Sequence, residues 1–174
     1  MPNRQLDHTQ HRPARPAFAL RYLVHDFEVP MNVGSVFRIA DALGVEMIHL
    51  TGASAVPPNR KLRRTSRATE QHVPFRHDDD PLPLLHELKA AGYRIVSLEL
   101  TSASIDIRDL PVAAGERICL VLGSENRGVS QALLDGSDQT VHIPMLGVHS
   151  SMNVATACAI ATFEIIRAFP VPPA

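Results

Sequence analysis

The chain has 174 residues, 45% of them apolar and 20% charged, which suits one compact domain and leaves little room for a second. Its 17 basic and 18 acidic side chains give a formal charge of -1, so no whole-molecule field draws it to nucleic acid. Its apolar runs fall short of the ~20 residues a membrane span needs.

The charge is unevenly spread. Residues 1–77 hold 11 Lys and Arg against 6 Asp and Glu, whereas residues 78–174 hold 6 against 12, so a polyanion is expected on the first half. Residues 1–16 carry three prolines and almost nothing apolar, and the chain closes on Pro170-Val-Pro-Pro-Ala174. Both ends are expected as mobile tails, 1–16 and 170–174, around a folded domain at 17–169.

Within that domain, β-prone runs occur at Phe18–Val24, Val45–Leu50, Arg94–Leu98, Ile118–Leu122 and Thr140–Ile143. The first helix is expected to begin at Asn32 as N-cap, to place Val33, Val36, Phe37, Ala40 and Leu43 on one face, and to stop at Gly44. Arg38 falls off that apolar stripe. A second helix, Pro81–Ala91, follows three aspartates and ends at Gly92; a short one runs from Val129 to Asp135 and a long one from about Asn153 to Phe169. Strands alternating with helices predict an α/β fold: a mainly parallel sheet with helices on both faces. Cys119 and Cys158 lie in apolar stretches with no CxxC partner, so no disulfide framework and no metal site is expected, and the setting is read as cytoplasmic.

Parallel sheets bind ligands beyond the carboxyl ends of their strands, which directs attention to the loops there. Gly123-Ser-Glu-Asn-Arg-Gly-Val-Ser130 has the two glycines and final serine of a phosphate loop but lacks its lysine: Val129 stands in that place, and Glu125 would repel a phosphate. No two glycines are separated by a single residue, so the dinucleotide fingerprint is missing too. The plain reading is a tight strand-to-helix turn. A second loop, His142-Ile-Pro-Met-Leu-Gly-Val-His149, runs into Ser150-Ser-Met-Asn153 and then a helix of small residues capped by Ser151 or Asn153. Such side chains permit close backbone approach. Pro30-Met-Asn-Val-Gly-Ser-Val-Phe-Arg38 is the third. Between these, Arg60-Lys-Leu-Arg-Arg-Thr-Ser-Arg67 packs five cations into eight residues, either a solvated surface loop or a contact for a nucleic-acid backbone.

Together the ordered motifs NVGSVFRIADALGV, LVLGSENRGVS and HIPMLGVHSSMNVATACAI closely resemble the SpoU (TrmH-like) family of RNA ribose 2′-O-methyltransferases, of the SPOUT superfamily, over residues 18–168. Arg67 departs mildly, standing where relatives often carry a small residue. The resemblance implies a C-terminal trefoil knot, a homodimer, S-adenosylmethionine as cofactor, and an RNA partner, with tRNA favoured over rRNA; a knotted RNA-binding protein without catalysis is the alternative class. It places the cofactor against Leu122, Gly123, Ser124, Glu125, Gly128, Ile143, Pro144, Met145, Gly147, Ser151, Met152 and Asn153. Its catalytic set maps onto Asn32, Arg38, Glu125, Ser151 and Asn153. Arg60, Lys61, Arg63, Arg64 and Arg67 are the expected RNA contacts. A guanidinium stays protonated and offers no acceptor, so Arg38 is assigned to gripping a phosphate, with Glu125 as candidate proton acceptor.

Overall fold

The computed structural model describes residues 3–4 and 18–169; the two expected tails, apart from residues 3–4, lie outside the described residues. Seven strands form one sheet: β1 (Ala19–His25), β2 (Met47–Thr51), β3 (Phe75–Asp78), β4 (Tyr93–Leu98), β5 (Ile105–Asp106), β6 (Arg117–Leu122) and β7 (Gln139–His142). Their order is β3-β2-β1-β6-β4-β7-β5, and every pairing is parallel. The helices are α1 (Pro30–Leu43), α2 (Arg60–Ser66), α3 (Pro81–Ala90), α4 (Gln131–Asp135) and α5 (Val154–Ala168).

Both faces of the sheet are covered, which is why β6 reads as an unbroken apolar run without alternation. Leu20, Tyr22, Val24, Ile118, Leu120 and Val96 pack with α1, Leu62 of α2 and α5, whereas Leu23, Ile95, Cys119 and Val121 pack with Leu84, Leu85 and Leu88 of α3 and Leu133 of α4. Tyr22 and Thr162 join hydroxyls across the first core, tying β1 to α5. Both cysteines are free and buried, and burial pushes each thiol up to about 12, so neither is a reactive group at neutral pH.

Four expectations need correction. Asn32 is not the cap of α1: the helix starts at Pro30 with Val29 as N-cap, because proline's fixed φ and missing N–H suit a first turn, and Asn32 lies inside that turn with its side chain free for other work. The arginine-rich segment is a helix, α2, capped by Asn59, whose side chain accepts from the Lys61 and Leu62 N–H groups. β3 and β5 escape the sequence reading. Both are short and half-exposed, and β3 is mostly polar. The helix expected from Val129 starts at Gln131 behind Ser130, since Val129 still belongs to the preceding loop.

α1 and α2 touch backbone to backbone at Gly34, where an added Cβ would lie 2.1 Å from Thr65 Oγ1 and 2.3 Å from the Leu62 carbonyl oxygen. α2 then ends on two successive left-handed residues, Arg67 (φ 54°) and Ala68 (φ 71°). Such angles cost a β-carbon-bearing residue roughly 1–2 kcal/mol each, so neighbouring packing must hold the turn.

His49 of β2 is 1% exposed and neither ring nitrogen has a partner. Burial lowers its pKa to about 4, with Arg76 and Arg21 adding repulsion. The folded state therefore refuses a proton that the unfolded chain accepts below its ordinary value of 6.5. Stability contributed by the neutral ring is present above pH 6.5 and is lost as pH falls from there toward 4, by about 3 kcal/mol. Denaturant unfolding at about pH 7 and about pH 4.5 should show much of this loss, and His49→Leu should flatten that part of the profile.

Candidate functional site

A cleft of about 700 Å³ opens beyond the carboxyl ends of β1, β4, β6 and β7. β6 occupies the middle of the sheet between β1 and β4, so the loop that follows it forms the floor. In that loop Gly123 approaches the chain so closely that a Cβ would lie 2.2 Å from both the Gly128 carbonyl carbon and the Val129 nitrogen. Gly128 has φ 66°, a left-handed turn that closes through its N–H to the Ser124 carbonyl.

Three distant segments meet at Asn32. Its Nδ2 donates to Glu125 Oε1 at 2.9 Å, and its Oδ1 accepts from Asn153 Nδ2 at 3.2 Å. Asn153 Oδ1 in turn accepts from the Ala155 and Thr156 N–H groups and so caps α5; of the two cap candidates it is Asn153, not Ser151. Ser151 is exposed on the cleft wall. Leu122, Ser124, Ile143, Met145 and Met152 complete the expected lining.

Two expected cofactor residues do not line this cleft. Pro144 is half-buried outside it, and Gly147 faces open space, with nothing within 4 Å of a Cβ there, so it makes no close approach among the described residues. Conversely, sequence reasoning missed a fourth wall, Leu98–Thr101 at the end of β4, and missed Arg127 on the loop after β6. Glu99 Oε2 accepts from the Val129 N–H at 2.9 Å, and Oε1 from the Leu100 N–H. A signal for this wall exists in the sequence: β4 is recognisable as a strand, and its carboxyl end is where a ligand loop belongs.

Arg38 lines a different concavity, of about 470 Å³, together with Ser35, Arg64, Thr65, Arg67 and Ala159. Asn32 and Arg38 share α1, but six residues turn a helix to a position roughly 120° away. One helix therefore shows its amide to the cleft and its guanidinium to the groove. Arg60, Lys61 and Arg63 are exposed on α2 without lining that groove.

The cations divide cleanly. Arg21, Arg76, Arg94, Arg108, Arg127 and Arg167 each pair with a carboxylate, and Arg117 donates to the Ala91 carbonyl. Arg38, Arg60, Arg63, Arg64 and Arg67 have no such partner among the described residues. Unpaired guanidinium groups gathered on α1 and α2 are an electrostatic footprint for a phosphate chain. Among the described residues no group of three or more His, Cys, Asp or Glu could hold a metal ion, and no helix is long and apolar enough to cross a membrane.

A doubly covered parallel sheet with a cleft at its central strand ends and a basic groove on one helix pair defines an α/β protein with two separate concavities of different charge. Comparison with known proteins gives that class its family. The family model described as SpoU rRNA Methylase family matches residues 19–163, and the chain belongs to this family. A putative TrmH family tRNA/rRNA methyltransferase of Staphylococcus haemolyticus is 32% identical over 145 residues, which are 83% of this chain and 57% of that protein. This chain thus spans little more than half of that relative's length. The SpoU methyltransferase AviRb of Streptomyces viridochromogenes, solved with AdoMet, is 30% identical with a TM-score of 0.77, over 89% of this chain and 62% of that one. A protein whose structure gives insights into the 2-OH methylation of C/U34 on tRNA is 28% identical with a TM-score of 0.76, over 87% of this chain and 97% of that one.

Gly123→Ala tests the cleft floor. The added methyl meets backbone that cannot rotate away, so a loss of about 1–3 kcal/mol is expected in denaturant unfolding; an unchanged midpoint contradicts the close approach.

Proposed function

We propose that the protein is an S-adenosylmethionine-dependent methyltransferase that modifies a ribose 2′-hydroxyl of RNA, with tRNA as the substrate. The observation that carries this reading is the division of charge across α1. Among the described residues, carboxylates without cationic partners line the cleft on one side, and arginines without anionic partners line the groove on the other. The likeness to AviRb with AdoMet supports the donor. The likeness to a chain of nearly equal span that concerns 2-OH methylation of C/U34 supports both the ribose hydroxyl and tRNA. The family's own description favours rRNA as the second reading.

The cleft suits the donor. Leu122, Ile143, Met145 and Met152 offer apolar walls for a nucleoside, and the backbone of 122–128, of Ile143 and Met145, and of 151–153 offers polar groups to fix its edge. Bound there, S-adenosylmethionine supplies an electrophilic methyl group. Arg38, with Arg64 and Arg67, grips acceptor phosphates, where bidentate contact holds the hydroxyl in line. Glu125, oriented by Asn32, takes the hydroxyl proton, and Ser151 and Asn153 contact the sugar.

Arg38 and the cleft are separated within one chain, so the reading includes a homodimer in which one protomer's Arg38 serves its partner's cleft. Exposed apolar side chains on α1 and α5 (Met31, Ile160, Phe163) and on the loop at Leu146 and Val148 support such an interface. The family's trefoil knot is part of the proposal; β7, entering the sheet between β4 and β5, and the tight crossing at Gly123 are compatible with it. Cytoplasmic residence is the setting proposed.

The deciding experiment incubates the protein with bulk tRNA or rRNA and tritiated methyl donor, then digests the RNA to nucleosides for mass spectrometry. Label in 2′-O-methylated tRNA nucleosides is expected; label on bases, or none, overturns the reading, and label in rRNA alone moves it to the second. Arg38→Ala should lower kcat/KM by at least about 100-fold. Replacing Arg64 and Arg67 should reduce the salt slope of RNA binding by about 0.7 for each phosphate no longer neutralised, measured by filter binding from about 50 to about 200 mM salt.

A further inference from the structure

We propose that Glu99 is the charge selector of the cleft, favouring the sulfonium-bearing methyl donor over the neutral thioether that remains after transfer. This rests on the donor reading above but assigns a residue and a selectivity that the reading does not contain.

Glu99 stands at the end of β4, half-buried in the cleft wall. Its two oxygens accept from the Val129 and Leu100 N–H groups, and no cation pairs with it among the described residues. The packing is close: a Cβ on Gly128 would lie 2.2 Å from Glu99 Oε2. Glu125, the other carboxylate of the cleft, accepts from an uncharged amide. The lining contains one arginine, Arg127, whose side chain is 73% exposed and turned to Asp26 at 3.5 Å. His142 also lines the cleft and shares a hydrogen bond with Ser104.

Half-burial strips a carboxylate of hydration, at a cost that stands unless other groups offset it. Two amide donors offset part. A cation in the same concavity offsets the rest, and the two carboxylates make the cleft a place of negative potential that its own residues leave unbalanced.

The ligand's charge changes during turnover. As the ribose oxygen bonds to the methyl carbon, the carbon–sulfur bond breaks, sulfur keeps the electron pair and loses its positive charge, and the hydroxyl proton leaves for a base. The donor enters with one more positive charge than the product that departs. Glu99, whose charge persists while Glu125 carries the transferred proton, therefore holds the donor and loosens its product, which limits product inhibition.

Glu99→Gln tests this: the amide keeps an oxygen for the Val129 N–H and removes the charge, giving up only the acceptor that serves the exposed Leu100 N–H. Isothermal titration with S-adenosylmethionine, with the charged amine analogue sinefungin and with neutral S-adenosylhomocysteine gives the readout. The substitution should weaken the two charged ligands by about tenfold and the neutral one by less than about twofold. Equal weakening of all three makes Glu99 a loop clamp and overturns the proposal, as does no change. On the unsubstituted protein, the preference for donor over product should shrink between about 20 and about 500 mM salt; a constant preference also overturns it, and this arm holds even if the variant fails to fold. Binding of none of the three ligands by the unsubstituted protein would instead remove the donor reading itself.

Discussion

The amide of Asn32 is a small group on which the arrangement of the cleft depends. Its donor goes to Glu125 and its acceptor to Asn153, residues 93 and 121 positions away. Asn153 in turn commits its own oxygen to the first N–H groups of α5. A chain of polar groups thus runs from the loop after β6, through α1, to the final helix. Each member satisfies its neighbour, and a half-satisfied member would carry a desolvation cost. The link ties the cleft floor and the start of α5 to α1, whose rotation is set by the packing of Val33, Val36, Phe37 and Ala40. Arg38 reaches the groove because α1 is held in that rotation.

Charge is organised on the same helix. A formal charge of -1 conceals two opposed local fields: arginines on α1 and α2, and carboxylates in the cleft, that are unpaired among the described residues. Among the described residues six other arginines pair with Asp or Glu and Arg117 bonds a backbone carbonyl, which leaves the unpaired groups as the ones free to meet ligands. An anion and a cation could therefore approach from separate directions without disrupting the protein's own ion pairs.

The regular parts of the fold are legible wherever burial leaves a pattern. β1, β4, β6 and the four expected helices stand within a few residues of their expected places, because apolar runs and their Gly or Pro boundaries act locally. α2 is hidden because it buries only Leu62 and Ser66, too few to make an apolar stripe among its arginines. β3 is hidden because a short edge strand reading Phe-Arg-His-Asp has no alternation to detect. At the site, the glycine loop, the Ser-Met-Asn segment and the arginine cluster stand out by residue type. Glu99 does not, since one carboxylate after a strand resembles any solvated side chain until Gly128 is seen lying against it.

By itself the sequence determined the class of fold, the ordered motifs and the uneven placement of charge, all of which follow from short-range periodicity and composition. The tertiary structure decided the rest. It turned Asn32 from a helix cap into a bridge, sent Arg38 to a different concavity from Glu125, and left Gly147 in open space while Gly123 became a point of very tight crossing. The reason is geometric: which direction a side chain faces on a helix is fixed by the packing of that helix against partners many tens of residues away, and no local pattern encodes that packing.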